Sequence, residues 1–230
     1  MSLTCITCTA DRPWAIARAE FLMARQTRPP DEWVVADDGV VPAQLTQGQT
    51  HLRRAPSRSG PESLTGNLIA ALAVATGDRL VIIEDDDWYA PEYLAVCEAR
   101  LRQAEVIGCP TLRYYHVASR QHVTMPNIGS ALFQTALRRR YRSWLVSAAE
   151  QAALAQTYNV DGRFWQALPT GLGERYDTPL TVGIKGMPGR PGLGIGHRPA
   201  RDKPWHHDPN GQQLYRWIGD DAPYYLDTPR

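Results

Sequence analysis

Arg79-Leu-Val-Ile-Ile-Glu84-Asp85-Asp86-Asp87-Trp-Tyr-Ala-Pro91-Glu-Tyr-Leu94 is the stretch on which the reading of this chain turns. The apolar run 80–83 predicts a buried strand, because strands covered on both faces read as continuous hydrophobic segments. It ends in four consecutive carboxylates. Four like charges at a strand end repel one another, so they add little to a fold unless a cation sits among them. Hard oxygen donors of this kind suit Mg2+ or Mn2+, which in turn bind phosphate oxygens. The alternative is a solvated acidic turn that opens the next helix, where negative charge is favoured.

Outward from that stretch, the first half of the chain alternates strand and helix. Residues 3–9 predict a buried strand, and Asp11-Arg12-Pro13 opens a helix to about residue 26, with Asp11 as cap and Pro13 in the first turn. Residues 33–36 predict a second strand, closing in Asp37-Asp38-Gly39. A helix over 62–75 follows, with Gly77 at its C-terminal stop. After the carboxylates a further helix runs from 91 to about 103. This order predicts a mainly parallel sheet with helices on both faces. In such sheets ligands sit at the carboxyl ends of the strands, where Asp37-Asp38 and Glu84–Asp87 both fall. The second half is less regular. Residues 113–117 and 122–125 predict a β-pair, 130–140 and 143–158 predict helices, and glycine and proline are dense from 169 onward, with a flexible loop over 186–197.

Composition sets outer limits. A chain of 230 residues with 43% hydrophobic and 21% charged residues is that of an ordinary globular protein. A net charge of +1 provides no global field toward nucleic acid or an acidic membrane. No apolar run reaches the roughly 20 residues of a membrane span, and no basic-then-apolar leader opens the chain, so the expected compartment is the cytoplasm. Cys5 and Cys8 lie in a strand, where side chains three apart face opposite ways. They, Cys97 and Cys109 are therefore expected as free thiols rather than a metal or disulfide pair.

The order of these signals resembles the GT-A glycosyltransferases, and family 2 of the nucleotide-sugar-dependent transferases in particular. The residues that carry the resemblance are Thr9-Ala-Asp11-Arg12-Pro13, Gln26-Thr-Arg-Pro-Pro-Asp-Glu32, Asp37-Asp38-Gly39, Gly66-Asn67, Ala75-Thr-Gly77 and Glu84-Asp85-Asp86-Asp87 with Pro91-Glu92 behind it. They span about residues 3–105. The resemblance implies one α/β GT-A domain over 1–230, with a mixed, mainly parallel sheet flanked by helices. It places a nucleotide-sugar-binding half at 1–105 and an acceptor-binding half, with the flexible C-terminal loop, at 106–230. The implied activity is transfer of a sugar from a nucleotide-sugar, in the first instance a UDP-sugar, to an acceptor hydroxyl, with inversion as the first expectation and retention left open, and with Mn2+ or Mg2+ as cofactor.

It also implies roles for individual residues. Asp86 closes the D-x-D signature as metal ligand, and His197 completes the metal site. Glu84 stands in the first signature position, where a longer side chain replaces aspartate. Asp85 supports the nucleotide end, and Asp87 caps the following helix. Thr9, Arg12, Asp37, Asp38 and Asn67 line the nucleotide pocket, an aspartate of the pair meeting the base. Lys185, Arg190 and Arg198 contact the diphosphate. Asp161 is the expected catalytic base, or else a helix N-cap, with Glu150 and Glu174 behind it. Trp88, Trp144 and Trp165 are candidate sugar-stacking aromatics.

Two other classes share these signals. A nucleotidyltransferase would carry a glycine-rich, lysine-bearing loop after the first strand, and the segment after Thr9 has neither. A non-catalytic sugar-nucleotide-binding module is compatible with glutamate at position 84. The acceptor is open between a saccharide, another small molecule and a nucleic acid. Two basic groups, Arg138-Arg139-Arg140-Tyr141-Arg142 and Arg53, Arg54 and Arg58, are of the kind that hold phosphates or form a solvated face.

Overall fold

The computed structural model describes residues 1–177, 179–188, 197 and 204–227. Strand β1 (Leu3–Thr9) runs through the middle of a sheet and is buried on both faces. Cys5 points into one core and Ile6 into the other, with Cys8 packed on the same side as Ile6, so the two cysteines are separated by the sheet and both are free. Strand β2 (Glu32–Asp37) pairs parallel to β1 on one side and β4 (Arg79–Ile82) on the other. The expected strands at 33–36 and 80–83 are therefore present. Ile83 extends the ladder by donating its N–H to the Ile6 carbonyl at 2.9 Å.

Four further strands complete this sheet: β3 (Thr50–Arg53), β6 (Val106–Gly108), β9 (Ala136–Arg138) and β10 (Gly173–Arg175). Their order is β10-β6-β9-β4-β1-β2-β3, and only β9 runs against its neighbours. The helices divide between its faces. Helix α1 (Pro13–Ala24) buries Ile16, Ala19, Leu22 and Met23 on one side, where α3 (Tyr93–Arg100) also packs. Helices α2 (Gly60–Val74), α4 (Arg142–Leu154) and α5 (Val160–Ala167) cover the other with Leu68, Leu72, Leu145, Ala149 and Phe164. The chain thus forms the mixed α/β single domain that the alternation of elements predicts.

A second sheet of five strands, in the order β12-β8-β7-β11-β5, closes over the first face. Its members are β5 (Trp88–Tyr89), β7 (Thr111–His116), β8 (Gln121–Pro126), β11 (Thr181–Lys185) and β12 (His206–His207). The β7–β8 pair matches the expected hairpin. His206-His207 forms an exposed edge strand against β8.

Several expectations are corrected. Residues 130–140 do not form an α-helix. A short 3-10 turn, Leu132–Gln134, leads into β9 and a second one, Arg139–Tyr141, follows it. The gap between β4 and β6 is filled by Ala136 and Leu137, and tertiary pairing overrides local helix propensity. Helix α3 is shorter than the expected 91–103, the helix expected at 143–158 is α4 and ends at Leu154, and α5 is a separate helix from Val160. Asp11 does not cap α1. It has φ of 51° and its Oδ1 accepts from the Val41 N–H at 3.1 Å. Gly77 is not a left-handed stop either, since its φ is not positive; glycine is needed there because a Cβ would lie 2.4 Å from the Thr4 hydroxyl, which accepts from the Gly77 N–H.

Helices α6 (Gln212–Ile218) and α7 (Ala222–Leu226) bring the C-terminal segment back onto α1. Asp221, just before α7, accepts from Arg18 at 2.8 Å, Arg25 at 2.5 Å and the Trp88 indole at 2.8 Å. Burial pushes this carboxyl up, but the bonds from Arg25, Trp88 and Arg18 outweigh it and hold it below its ordinary value. A depressed acid stabilises the fold above its unfolded value near 4, and that contribution is lost as pH falls below it. Asp221→Asn should therefore cost about 3 kcal/mol, or roughly 6–12 °C in Tm at pH 7, and the deficit should shrink toward pH 3. Urea titrations at the two pH values test this; a variant as stable as its parent at pH 7 would show the network to be inert.

Candidate active site

Strand β4 and its extension deliver the four carboxylates to the carboxyl end of the first sheet, at the mouth of a cavity of about 550 Å3. Asp85, Asp86 and Asp87 are buried and Glu84 is half-buried. Two cations of the chain stand among them. Arg12, just before α1, reaches Asp85 at 2.5 Å and Asp86 at 3.0 Å. Lys185, the last residue of β11, lies 2.8 Å from Asp87 and 3.8 Å from both Glu84 and Asp86. Its ammonium also stands 5.6 Å from the ring centroids of Tyr114 and Phe133. Gly183 makes room for Tyr114, since a Cβ there would lie 2.3 Å from that ring.

Four acids against two fixed cations leave a deficit of positive charge, and it appears in the acidities. Burial raises Asp85 to about 6 against the pull of Arg12, and raises Asp87 well above its ordinary value despite Lys185. Asp86 goes the other way. Burial would raise it, but Arg12, Lys185 and His197 together hold it well below the usual carboxylate range, so it is the acid that remains ionised. The Nε2 of His197 lies 3.4 Å from Asp86, and burial lowers the pKa of its imidazole, favouring the neutral ring. The His197 carbonyl is held by His116, whose Nε2 donates to it at 3.2 Å while its Nδ1 accepts from the Ser119 N–H at 3.1 Å.

A divalent cation fits this donor set. Glu84, Asp86 and Asp87 each offer an oxygen within 4.8 Å of the others, the Asp87 Oδ2 is buried without a hydrogen-bond partner, and hard oxygens are what Mg2+ and Mn2+ select. Asp87 was expected as a helix cap. Instead its Oδ1 accepts from the Ile184 N–H at 2.9 Å and from Lys185, so it joins β11 to the cluster. Sequence gave no hint of this, because its partners stand about a hundred residues away.

Around the cavity the structure gathers Thr9, Arg12, Asn67, Glu84, Asp85, Asp86, Asp161, Lys185 and His197. Thr9 donates to Asp85 at 2.7 Å, and Asn67 donates to the Thr9 carbonyl at 3.2 Å. Asp161 sits in the first turn of α5 and is not its N-cap, which is Asn159. Burial raises its pKa above the ordinary carboxylate value.

Other expected residues fall elsewhere. Asp37 and Asp38 do not border the cavity. Asp37 is taken up by the Gly39 and Ala43 amides, His51 and Arg53, and Asp38 by Ser63 and Asn67 at 2.7 and 2.8 Å. Glu150 is exposed on α4, and Glu174 pairs with Arg100 at 2.7 Å. Trp88 and Trp165 are held by Asp221 and Thr135, and Trp144 lies on the surface of α4, so none of the three lines the cavity. Arg190 and Arg198 lie outside the described residues. Sequence reading missed the apolar residues Leu112, Tyr114 and Met125, whose alternation along β7 and β8 was visible only as a hairpin; Phe133, from the turn before β9, completes this wall.

Comparison with known proteins agrees with this arrangement. The sequence family "Glycosyl transferase family 2" matches residues 4–156, more than half of the chain. Among solved structures, S. aureus TarS is similar with a TM-score of 0.54 at 14% identity, over 80% of this chain and 37% of that one. Its fragment 1–349 gives a TM-score of 0.51 at 13% identity, over 80% of this chain and 60% of the fragment. The mannosyltransferase PcManGT from Pyrobaculum calidifontis, in complex with GDP-Man and Mn2+, gives 0.51 at 15% identity over 98% of this chain and 72% of that one. This chain therefore spans little more than a third of the TarS chain. No curated protein sequence matches it. No described helix is long and apolar enough to cross a membrane. The family match over residues 4–156, on a fold shared with these structures, makes the chain a member of glycosyl transferase family 2.

Proposed function

We propose that this enzyme moves a sugar from a nucleotide-diphosphate donor to an acceptor hydroxyl by a single inverting displacement. The observation that carries the proposal is the meeting, in one cavity, of the β4 carboxylates, two cations of the chain and the separate carboxylate Asp161. Thr9, Arg12 and Asn67 form the nucleotide end. When bound, Mn2+ or Mg2+ would be held by Asp86 with Glu84 and Asp87, with His197 beside them, and would supply neutralisation for the departing diphosphate. Arg12 and Lys185 add fixed positive charge at the same place, already oriented before any charge develops. Asp161 takes the proton from the acceptor hydroxyl as its oxygen bonds to the anomeric carbon and the bond to the diphosphate oxygen breaks. Its raised pKa makes its carboxylate the stronger base. The apolar wall of Tyr114, Met125 and Phe133 excludes water and gives the sugar or acceptor a surface to lie on.

The direct test is a donor panel of UDP- and GDP-sugars, the latter because PcManGT holds GDP-Man. Nucleotide release is measured with Mn2+ and with EDTA. Turnover of at least one donor with Mn2+, suppressed at least tenfold by EDTA, is the expected result. Donor binding with no turnover under any condition would make the chain a binding module instead.

A further inference from the structure

The arginine-rich segment after β9 has no part in the site above, and the structure gives it a cavity of its own. Arg79, Arg138, Arg139, Arg140 and Arg142 line a second space of about 550 Å3, with Asp78 as the acid among the described residues around it. Arg79 opens β4 and faces Arg138 of β9 in register. The cavity therefore lies at the end of β4 opposite the carboxylates, roughly 20 Å away along the strand.

These arginines are not equally engaged. The Arg138 guanidinium donates to the carbonyls of Leu101, Arg102 and Ala104, and Arg140 pairs with Glu105. Arg142 gives one donor to the Leu72 carbonyl at 3.1 Å and forms no ion pair among the described residues. The exposed side chain of Arg139 has no bond or ion pair among them either. Arg79 differs again. Its side chain is only 5% exposed, its nearest carboxylate is Glu98 at 3.5 Å, and its Nε is buried without a hydrogen-bond partner. The rest of its guanidinium is engaged by Glu98, the Met1 carbonyl at 3.4 Å and the Met1 sulfur at 3.1 Å, but a buried donor left unmet in a concave, cation-lined space is unfavourable unless something negative enters. The other basic group expected from sequence does not resemble this one, because Arg53 is bound to Asp37 and Arg54 to Asn67.

We propose that this cavity is a second ligand site, remote from the sugar donor, that takes a phosphate-bearing group. Guanidinium forks match the oxygens of a phosphate in pairs, and three of them with donors to spare suit a group of two or more charges. A recess of this size admits a compact phosphoryl group and its attachment, whereas a duplex needs an extended ridge. The group has two sources, a free phosphate compound or the head of an anionic lipid.

Titration calorimetry with inorganic pyrophosphate, in EDTA and 150 mM salt, tests the site, and sedimentation with phosphatidic acid vesicles against phosphatidylcholine vesicles separates the sources. Pyrophosphate or phosphatidic acid binding that falls roughly tenfold or more in R139Q/R142Q, with unchanged urea unfolding, supports the proposal. Arg79→Lys, which keeps the charge but loses the fork, should weaken binding as well. Equal binding in R139Q/R142Q and its parent overturns the proposal, as does binding of neither probe. Retention of a 20-nucleotide RNA without either probe overturns it in favour of nucleic acid.

Discussion

Asp86→Ala is expected to lower kcat/KM for sugar transfer by roughly a thousandfold or more. Asp86 is the one carboxylate of the four on which Arg12, Lys185 and His197 all converge, at 3.0, 3.8 and 3.4 Å. These groups hold its carboxyl well below the usual range, so it carries a full negative charge at any assay pH. Its removal takes away the anchor that the proposed cation needs and leaves Arg12 turned toward Asp85 alone. Asp85→Ala should be milder, because Asp85 accepts from Thr9 and Arg12 and stands behind the cluster. Steady-state nucleotide release with the donor chosen by the panel measures both. An Asp86→Ala enzyme within tenfold of its parent would remove the carboxylate cluster from the mechanism.

Asp161→Asn should reduce kcat by roughly 10²–10⁴-fold while changing the donor KM little, the pattern of a lost general base. Asparagine keeps the shape and loses the proton acceptor. The pH profile adds an independent reading. Burial raises the Asp161 carboxyl above the ordinary value near 3.9, and a base acts only when deprotonated. The parent rate should therefore fall as pH drops through that raised value, whereas the variant should lose this acid limb. A profile unchanged in Asp161→Asn would transfer the role of base to another group.

The parts of the fold that sequence disclosed are those whose determinants are local. β1, β2 and β4 read as apolar runs because both of their faces are covered, and α2 was legible from residue 62, although its first turn, where the Ser59 hydroxyl accepts from the Glu62 N–H at 3.3 Å, was not. β5 and β12 have two residues each, too few for any periodicity, and they exist only because a longer neighbour pairs with them. β9 is the clearest loss. Thr135-Ala136-Leu137-Arg138 is unremarkable as helix or strand, and the vacancy between β4 and β6 decides the matter. At the site the same rule holds. Glu84–Asp87, Arg12, Asp161 and Lys185 were recognisable by type and place, but Asp87 was misjudged, since only the return of β11 turns it inward.

Asp87, Lys185 and Asp221 together bear on where this protein can be divided. The segment shared with the transferase family ends at residue 156, yet the ammonium that faces Asp87 and the carboxylate that fixes Trp88 both come from beyond it. An expression fragment stopped at that border would leave β7 with an open edge, since β11 is its parallel partner. It would also strand a buried aspartate with no counter-ion. The segment matched to the family is thus not a unit that can be excised, and truncation libraries or domain fusions should keep helix α7 with it.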